Sequence, residues 1–564
     1  MSERKAKRGG RSGGVSLRPA PKGREIDPAA LAEVRSLLGA APRRPDLLLE
    51  HLHRIQDAHG SLSAAHLTAL AFELDLAPAE VYEVATFYHH FDVVRPGEAA
   101  PPPLTVRVCE SVSCHLVGSD DLLARLQQRL GPAVRVVAAS CVGRCDRAPV
   151  VVVGRRAVDD ATVAAVEEAA LAETLEPALP HAVTYSAYRA AGGYALLGDC
   201  ISGMRDVNAV IETLAAAGLR GLGGAGFPTA QKWKFVRAEP GPRVVVINGD
   251  EGEPGTFKDR LCLETDPHRM LEGTLIAAWA VAADDVYVYL RDEYAACRVI
   301  LTREIAALQA NPPCRLPRIH LRRGAGAYIC GEETSLIESI EGKRGEPRLR
   351  PPFPAQAGVF GRPTLVHNVE TLYWIRELLE RGADWWVAEG RPEHPGKRFF
   401  SVSGRVARPG MYAAPNGVTA RELIEQAGGM QDGHAFYGYL PGGASGGILP
   451  ASLGDVPLDF RSLDAYGCFI GSAAIVVLSD QDSARNVAHN LMRFFAHESC
   501  GKCTPCRVGT AKAEQLMREP RWNLPVLNDL ADVMADASIC GLGQAAPNPL
   551  RSVQRFFPLE LESR

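Results

Sequence analysis

Four cysteines near the carboxyl end of the chain constrain its fold and chemistry more than any other feature. Three follow a C-x2-C-x2-C spacing and one lies far downstream: Cys500, Cys503, Cys506 and Cys540. Four thiolates are the ligand set of a 4Fe–4S cube, with one thiolate for each iron. A zinc site is the alternative, although zinc more often binds two separated CxxC pairs. We therefore predict a 4Fe–4S cluster, which requires an electron donor and an electron acceptor elsewhere.

A second set of four cysteines lies in the amino-terminal third of the chain. The pairs are spaced C-x4-C and C-x3-C: Cys109, Cys114, Cys141 and Cys145. Strands are predicted over 104–108, 134–137 and 149–153, with a helix over 121–130 after the first strand, an order typical of a thioredoxin-like fold. Four thiolates from two loops suit a 2Fe–2S cluster, with two thiolates for each iron. Zinc is again the alternative, but these spacings are less typical of zinc ribbons.

Composition narrows the class of protein. The chain has 564 residues, 46% hydrophobic and 23% charged, which predicts several soluble domains. We expect no membrane span and no secretory signal, because no long uninterrupted apolar segment occurs. Fourteen cysteines, several in close pairs, indicate a reducing, cytoplasmic location and metal binding rather than disulfides. The amino-terminal segment over 1–27 is a basic tail, but no aromatic residues lie between its charges, so we expect no nucleic-acid partner.

A glycine-rich segment in the middle of the chain predicts phosphate binding. Residues 221–226 match G-x-G-x-x-G, but they follow a predicted helix over 206–217. The usual dinucleotide-binding fingerprint must follow a strand, so we reject that fold here. Backbone without Cβ can still approach a phosphate closely, and Lys232 can supply a nearby charge. A merely flexible loop is the alternative.

Acidic residues are concentrated at two further turns. Asp250, Glu251 and Glu253 follow a predicted buried strand over 244–247. Carboxylates packed so tightly are costly unless they have partners, which could be ribityl hydroxyls, an amide or a cation. A solvated acidic turn is the alternative. The second turn is a glycine-rich segment that ends in Glu332 and Glu333, at the start of a predicted helix.

At these segments the chain resembles a known family. The C-x4-C and C-x3-C pairs, preceded by a helical bundle, resemble the 24-kilodalton-type subunit of respiratory complex I. The cube loop, the glycine-rich segment and the two acidic turns resemble its 51-kilodalton-type flavoprotein partner. Both halves lie here in one chain. The resemblance implies FMN, NAD, one 2Fe–2S cluster and one 4Fe–4S cluster as cofactors.

The resemblance also implies which residues bind the nucleotides. The residues expected to hold FMN are Gly223, Gly224, Gly226, Lys232, Asn248, Asp250, Glu251, Tyr328, Gly331, Glu332, Asn368 and Thr371. Those expected to hold the nicotinamide dinucleotide are Glu253, Glu333, Arg350, Phe227, Phe235 and Phe353, with Glu253 and Glu333 assigned to the catalytic site. The chain departs from the family at Leu222, where arginine is frequent, and at His367, where asparagine is usual. It also has Gly249 in place of a usual alanine and Arg350 in place of a common lysine.

The predicted fold is multidomain α/β, in six segments. They are a disordered basic tail over 1–27, an N-terminal helical bundle over 28–100, a thioredoxin-like 2Fe–2S domain over 101–175, a non-classical Rossmann-like α/β FMN/NADH-binding domain over 176–395, a β-grasp (SLBB-like) insert over 396–480, and a C-terminal helical bundle with the 4Fe–4S site over 481–564.

We expect the chain to be a diaphorase subunit that exchanges hydride between NAD(H) and FMN and relays single electrons through clusters. It resembles the beta subunit of NAD-dependent formate dehydrogenases that contain molybdenum or tungsten, in the basic tail at 21–24 and in residues 218–223. This resemblance implies a partner: a large metallopterin subunit with further iron–sulfur clusters. The alternatives are the diaphorase subunit of NAD-reducing hydrogenase, a complex I-type NADH dehydrogenase module, and a non-catalytic zinc-binding scaffold.

Overall fold

The computed structural model describes residues 25–172 and 175–562. Most of the predicted basic tail, including its 21–24 segment, therefore lies outside the described residues. Among the helices of these two ranges, none combines the length and apolar character that crossing a bilayer demands.

Four helices form the amino-terminal segment. They are Pro28–Leu38, Leu48–His59, Ala64–Leu74 and Pro78–Phe87. The side chain of Asp27 accepts a hydrogen bond from the backbone N–H of Ala29 at the start of the first helix. Gly60 ends the second helix in a left-handed conformation that glycine adopts without strain. A short parallel pair, Leu62–Ser63 with Val93–Val94, closes the segment.

The thioredoxin-like segment is a four-stranded mixed sheet. In spatial order its strands are Val134–Ala139, Leu104–Cys109, Val151–Val153 and Arg156–Val158. The first two strands are parallel and the others are antiparallel. Its helices are Val112–Leu116, Ser119–Arg129 and Val163–Leu171. Cys109 ends a strand and Cys114 lies in the short helix that follows, so the fold brings this pair together locally.

A sheet of four parallel strands carries the acidic turn at 250–253 and the second glycine-rich segment, at 324–331, at the ends of its strands. In spatial order they are Thr364–Asn368, Arg243–Gly249, Ala283–Leu290 and Arg318–Arg323. The surrounding helices are Tyr185–Ala190, Ala195–Ile201, Val207–Ala216, Thr229–Ala238, Lys258–Thr265, Pro267–Ala280, Ala295–Ala310, Glu333–Ile340, Val369–Arg381 and Ala383–Ala388. The glycine-rich loop at 221–226 joins two helices of this set, so the structure agrees with the rejection of the usual Rossmann fingerprint.

Both faces of this sheet are buried, which explains its continuous apolar strands. Val244 and Val246 face one core, whereas Val245 and Ile247 face the other. The first core continues into the amino-terminal helices and into the helices that carry the cube cysteines. One continuous core therefore fixes three segments of the chain relative to each other.

The remaining elements are a β-grasp-like insert and a carboxyl-terminal helical group. The insert has strands Gly410–Pro415, Lys397–Gly404, Ala474–Ser479, Phe436–Leu440 and Leu449–Pro450 in spatial order, with helix Ala420–Gln426. The last helices are Ala484–Glu498, Thr504–Arg518, Leu524–Ala537, Gly541–Ala545, Asn548–Phe556 and Leu559–Glu562. Short 3₁₀ turns occur at Pro45–Leu47, Cys145–Arg147, Tyr328–Gly331, Val359–Gly361, Ala444–Gly446, Ala451–Leu453 and Asp464–Tyr466.

Candidate functional site

One cleft of about 720 Å³ lies along the carboxyl edge of the parallel sheet. It is lined by predicted residues from four separate segments: Gly223, Gly224, Gly226, Asn248, Asp250, Glu251, Glu253, Tyr328, Gly331, Glu332 and Asn368. Asn248 and Asn368 are direct partners in the register of neighbouring parallel strands. The cleft therefore arises because parallel strands end at the same edge of the sheet.

The glycines form a cradle that side chains would fill. A Cβ on Gly223 would lie 2.9 Å from Cβ of Asn368. Gly226 has φ of +65°, and a Cβ there would lie 2.5 Å from the ring of Phe460. Thr371 Oγ1 accepts a hydrogen bond of 2.9 Å from the backbone N–H of Leu222, so Thr371 fixes the loop. Bare backbone at this place suits the close approach of a phosphate or a flavin.

Asp250 presents a buried carboxylate oxygen without a partner among the described residues. Its Oδ2 accepts no hydrogen bond, although its backbone N–H donates to Oδ1 of Asn248 at 3.0 Å. Burial raises the pKa of Asp250 well above its ordinary value, although Arg291 opposes the shift. A buried acceptor that lines a cleft needs a donor from a ligand. A ribityl hydroxyl or a flavin N–H supplies such a donor, so the site fits FMN.

The two other acids of this turn have different surroundings. Oε1 of Glu253 accepts from the backbone N–H of Ser445 at 2.7 Å, and Oε2 accepts from the hydroxyl of Tyr328. Glu251 accepts from the N–H groups of Asp259 at 2.8 Å and Arg260 at 3.0 Å. Burial raises the pKa of Glu251 to about 7. The Glu251 side chain thus caps the helix at Lys258–Thr265, whereas Glu253 joins the sheet edge to the β-grasp insert.

A charged cluster lies beside the cleft. Nζ of Lys232 is 2.9 Å from Oε2 of Glu333 and donates to the carbonyl of Val366 at 2.9 Å. Arg350 contacts Glu332 and lies 3.3 Å from Glu333. Burial raises the pKa of Glu333, but Lys232 and then Arg350 outweigh burial, so the pKa lies below its usual value. Glu333 is therefore an ionised, paired carboxylate at neutral pH.

The three predicted phenylalanines lie outside the lining of the cleft. Phe227, Phe235 and Phe353 are about half exposed, at 43%, 49% and 51%. The ring centroids of Phe227 and Phe235 are 6.3 Å apart, whereas Phe353 is not part of this pair. Exposed rings offer flat apolar surface on which a base or a nicotinamide can stack.

Sequence reasoning missed several residues that line the cleft. They are Arg220, Lys258, Phe460, Arg461, Ser472 and Asn548. Lys258 is buried, and its Nζ lies 2.8 Å from Asp259 and 3.1 Å from Glu370. The adjacent charged residues Lys258 and Asp259 come directly after the acidic turn, and this pattern could have indicated from the sequence that they belong to the cleft. The remaining residues come from distant segments and carried no local signal.

The family departures at Leu222 and His367 have different structural consequences. Leu222 is buried, but Arg220 lines the cleft and its Nη1 donates to the carbonyl of Gly226 at 3.0 Å. The guanidinium of Arg220 therefore supplies a cation at the cleft, two residues before Leu222. His367 is buried, and its Nε2 accepts a hydrogen bond of 2.8 Å from Nε1 of Trp233. Burial lowers the pKa of His367 well below its usual value, so this imidazole is neutral.

The cysteines of the predicted cube converge as expected. Cys500, Cys503, Cys506 and Cys540 line one small cavity together with Ile329 and Leu542. All four are free thiols, and Oγ of Ser499 lies 3.2 Å from Sγ of Cys506. Ile329 and Leu542 also line the cleft of the sheet edge. Four converging thiols fit a cube, and two apolar side chains separate it from the flavin cleft.

The second cysteine set is buried at an interface. Cys109, Cys114, Cys141 and Cys145 are at most 3% exposed, and Sγ of Cys141 lies 3.4 Å from Sγ of Cys145. Cys141 and Cys145 pack against Phe257, which precedes the helix at Lys258–Thr265. Four buried free thiols fit a 2Fe–2S cluster that faces the flavin half of the chain.

Two buried arginines dock the loop of this second site onto the parallel sheet. Nε of Arg260 donates to the carbonyl of Gly143 at 2.9 Å. Nη2 of Arg291 donates to the carbonyl of Cys141 at 2.6 Å. These donors are 3% and 5% exposed, and hydrogen bonds from buried charges are among the stronger ones. The position of the loop is therefore specified by the other half of the chain.

One carboxylate that the sequence did not single out joins all three redox segments. Oε1 of Glu498 accepts from Oγ of Ser140 at 2.5 Å, and Oε2 accepts from the N–H of Tyr328 at 3.0 Å. Ser140 precedes Cys141, and Glu498 lies two residues before Cys500. An acid next to a cysteine loop was the only sequence signal for this contact.

We expect Cys145→Ser to remove the 2Fe–2S cluster and to leave FMN and the cube in place. Serine is a poor replacement for a thiolate ligand, and this site belongs to a separate sheet. Iron analysis and EPR of the reduced protein measure the loss, and NADH-dependent dye reduction should largely persist. Cys297→Ser, at a buried cysteine outside both sets, is the matched control. Loss of the cube signal in Cys145→Ser would contradict the assignment.

Comparisons with known proteins agree with the geometry. Four family models match: Thioredoxin-like [2Fe-2S] ferredoxin over 34–173, Nuo51 FMN-binding domain over 214–377, SLBB domain over 399–449, and NADH-ubiquinone oxidoreductase-F iron-sulfur binding region over 486–564. The predicted fold class and the predicted cofactors FMN, 2Fe–2S and 4Fe–4S, with NADH as substrate, are confirmed. The choice between zinc and iron–sulfur clusters is thereby decided for both cysteine sets.

Individual relatives support the same assignment. The chain is 40% identical over 398 residues to an F-type NADH-quinone oxidoreductase subunit of Rhizobium meliloti (strain 1021), covering 68% of this chain and 94% of the relative. It is 40% identical over 396 residues to the F-type NADH-quinone oxidoreductase subunit of Streptomyces coelicolor, covering 67% and 87%. A chain in the crystal structure of an NAD+-reducing [NiFe]-hydrogenase in the H2-reduced state matches with a TM-score of 0.80 and 33% identity, covering 92% of this chain and 93% of that one.

The flavin cleft, the two thiol sites and these matches describe an NAD-dependent oxidoreductase subunit that transfers electrons through FMN and iron–sulfur clusters. The chain belongs to the family of F-type NADH-quinone oxidoreductase subunits and related diaphorase subunits, as a fused form with a 24-kilodalton-type half.

Proposed function

We propose that this diaphorase chain is the NAD-reducing subunit of a metal-dependent formate dehydrogenase, which converts formate and NAD+ to CO2 and NADH. The observation that carries the proposal is the segment at 218–223, whose sequence resembles those beta subunits and whose Arg220 lines the cleft. The partner would be a large molybdenum or tungsten pterin subunit with further clusters. Eight of the fourteen cysteines converge in the two cluster sites, and the other six are not paired with one another in the described part of the chain, which supports a reducing, cytoplasmic location.

The residues of the cleft have distinct proposed roles. FMN supplies the chemistry that links two-electron hydride exchange with one-electron cluster transfer. Asp250 and Asn248 bind its polar groups, and the glycine cradle admits it close to the backbone. Glu253 orients the nicotinamide, since the bonds from Ser445 and Tyr328 hold its carboxylate in one place. Such pre-organisation is what makes positioning effective in hydride transfer.

The dinucleotide is proposed to bind beside this position. Phe227 and Phe235 offer stacking surface, and Glu333 offers an ionised carboxylate for a ribose hydroxyl. Lys232 and Arg350 hold Glu333 in place. Their positive charges also offset the negative charges of the adjacent residues Glu332 and Glu333. The charged cluster thus binds a polyanionic dinucleotide without a net negative field at the cleft edge.

We expect Glu253→Gln to weaken NADH use more than FMN retention. Loss of a charged hydrogen bond costs about 1.5–3 kcal/mol, which is roughly one to two powers of ten in affinity. Steady-state kinetics should therefore show a higher KM for NADH, and flavin content should stay unchanged.

Tyr328→Phe is the control, because it removes one partner of Glu253 but keeps the carboxylate. The proposed role predicts a smaller increase in KM for this variant than for Glu253→Gln. Equal increases would assign the effect to the hydrogen-bonded pair as a structural unit, and loss of FMN from Glu253→Gln would assign the residue to flavin binding instead.

The diaphorase subunit of an NAD-reducing hydrogenase is a second candidate function. It is supported by the structural match to a chain of such an enzyme along nearly the whole length of both chains. A complex I-type NADH dehydrogenase module is a third candidate, supported by the F-type relatives from NADH-quinone oxidoreductases. The three differ only in the partner that exchanges electrons with this chain.

Purification of the tagged chain from its own host, followed by mass spectrometry and metal analysis of the complex, separates these candidates. The proposal predicts a large subunit with molybdenum or tungsten, and formate-dependent NAD reduction by the complex. The isolated, cofactor-loaded chain should oxidise NADH with a dye but should not oxidise formate. A nickel-containing partner with hydrogen-dependent NAD reduction would replace the proposal with the second candidate, and a quinone-reducing complex with the third.

A further inference from the structure

Three potential metal ligands meet between the amino-terminal helices and the helix that leads to the cube. They are His89, His497 and Glu498, and one ligand atom from each lies within 4.8 Å of the others. His89 follows the helix at Pro78–Phe87, whereas His497 and Glu498 end the helix at Ala484–Glu498. All three line a cavity of about 310 Å³. Residues about four hundred positions apart in the chain thus present ligand atoms to one point.

The spacing of these atoms is compatible with a tetrahedral cation, and Nδ1 of His497 also makes a long hydrogen-bond contact with Glu498. Nδ1 of His497 lies 3.3 Å from Oε1 of Glu498. A charge-assisted N–H···O hydrogen bond is usually about 2.7–2.9 Å long. Two ligands on one tetrahedral zinc, with bonds of about 2.0–2.1 Å, lie about 3.3–3.4 Å apart. The rings of His89 and His497 are 4.1 Å apart and nearly perpendicular, at 87°, so the second imidazole is close to the same point.

The ligand atoms are available, and the carboxylate is held in place. Within the described part of the chain, neither ring nitrogen of His89 has a side-chain hydrogen-bond partner, and Nε2 of His497 has none either. Nδ1 of His497 makes long contacts of 3.3 Å with Ser140 and Glu498, which a cation would have to replace. Both imidazoles are exposed and can take up a cation from solvent. Glu498 is buried, and the donors Ser140 and Tyr328 fix its two oxygens. Hydrogen bonds of this kind orient metal-binding carboxylates.

The charge that favours a cation here is that of Glu498, because Glu293 and Glu110 are paired with Arg291 and Arg493. The carboxylates that act on His89 are Glu498 and Glu293, and those that act on His497 are Glu498 and Glu110. We propose that His89, His497 and Glu498 form a binding site for one divalent cation of the zinc class, with solvent in the remaining position. Two imidazoles, one carboxylate and an open position are a ligand set that zinc accepts. Such a cation would tie the amino-terminal helices to the helix before the cube loop.

Two other groups of similar composition lack these properties. At His53, His90 and Asp292, the carboxylate already contacts Arg323 and lies 3.1 Å from Arg298, so positive charge is present. The second group, Glu33, His59 and His66, contains an ion pair of hydrogen-bond length: Nε2 of His66 lies 2.9 Å from Glu33. This second group provides a matched surface control.

The test is zinc binding to the holoprotein with FMN and both clusters in place. Isothermal titration should give about one equivalent of Zn²⁺ bound to the wild type. His89→Ala and His497→Ala should each weaken the affinity at least about tenfold, since even partners outside the ligand shell contribute that much. His66→Ala should bind as the wild type does. Zinc should raise the melting temperature of the wild type and of His66→Ala only.

Zinc-edge X-ray absorption separates this site from zinc that replaces iron on cysteine. The proposal predicts a first shell of nitrogen and oxygen at about 2.0–2.1 Å with an imidazole signature, and no sulfur at about 2.3 Å. Iron content, flavin content and dye reduction should be the same in all variants, which verifies their folding. A sulfur shell, absence of binding, or unchanged affinity in both His89→Ala and His497→Ala would overturn the proposal. If His89→Ala fails to fold, His89→Gln replaces it.

Discussion

Cys503→Ser is expected to abolish the 4Fe–4S cluster, so that iron content falls from about six to about two atoms per chain. Cys503 is one of four thiols around a single small cavity, and a cube needs one thiolate at each iron. FMN should remain bound, because Cys503 does not line the flavin cleft. EPR of the reduced protein should keep the 2Fe–2S signal and lose the cube signal.

Cys540→Ser should remove the same cluster with one further effect. Residues 541 and 542, directly after this cysteine, line the flavin cleft, so loss of the cluster here should also weaken FMN retention. Cys468→Ser, at a buried cysteine outside both ligand sets, is the control and should keep about six irons. A wild-type cube signal in both Cys503→Ser and Cys540→Ser would contradict the assignment of these cysteines as ligands of the cube.

Gly226→Ala is expected to release FMN while the two clusters remain. Gly226 has φ of +65°, which costs a residue with a Cβ about 1–3 kcal/mol. The new methyl group would also lie 2.5 Å from the Phe460 ring, and overpacking of this kind costs about 1–3 kcal/mol. If a third of this total, about 0.7–2 kcal/mol, falls on the bound state, FMN binds about three- to thirtyfold more weakly.

The measurement is flavin content after gel filtration, together with the dissociation constant for added FMN. Gly203→Ala is the matched control, since Gly203 has φ of +83° but open space where a Cβ would lie. The control carries the backbone strain without the clash, and Gly203 is not among the residues that line the cleft. Equal flavin loss in both variants would assign the effect to general destabilisation, and normal flavin binding in Gly226→Ala would remove the cradle from the FMN site.

The sequence predicted those parts of the site that follow from local pattern. Thiolates at short spacing and glycines before a lysine are recognisable without a structure, because their chemistry is tied to their order. Asn248 was placed after a predicted strand over 244–247, and the resemblance assigned Asn368 to the same cofactor, but the strand that ends at Asn368 and pairs with that of Asn248 was not predicted. The cleft was predictable to this extent because a single sheet builds most of it.

Contacts between segments could not be predicted in the same way. Phe460 and Ser472 reach the cleft from the β-grasp insert, whose own strands contain no signal for a nucleotide. Glu251 lines the cleft, and the contacts of its carboxylate with two N–H groups of the following helix and with the hydroxyl of Tyr294 were not predicted. Arg220 faces the cleft although Leu222 occupies the family position. Side-chain direction in such loops depends on packing that forms only in the complete fold.

The bonds from Arg260 and Arg291 limit how this chain could lose its second cluster during evolution or engineering. Both guanidinium groups are buried, and each donates to a backbone carbonyl of the cluster loop, at Gly143 and Cys141. Deleting the loop would leave these buried donors without their carbonyl partners and would remove Asp146 from Arg260, which is destabilising even though Glu264 and Glu293 would still pair with the two charges. Mutating the cysteines leaves both carbonyls in place. A descendant without the 2Fe–2S cluster would therefore keep the backbone conformation of the loop, although the side chains of the loop could change.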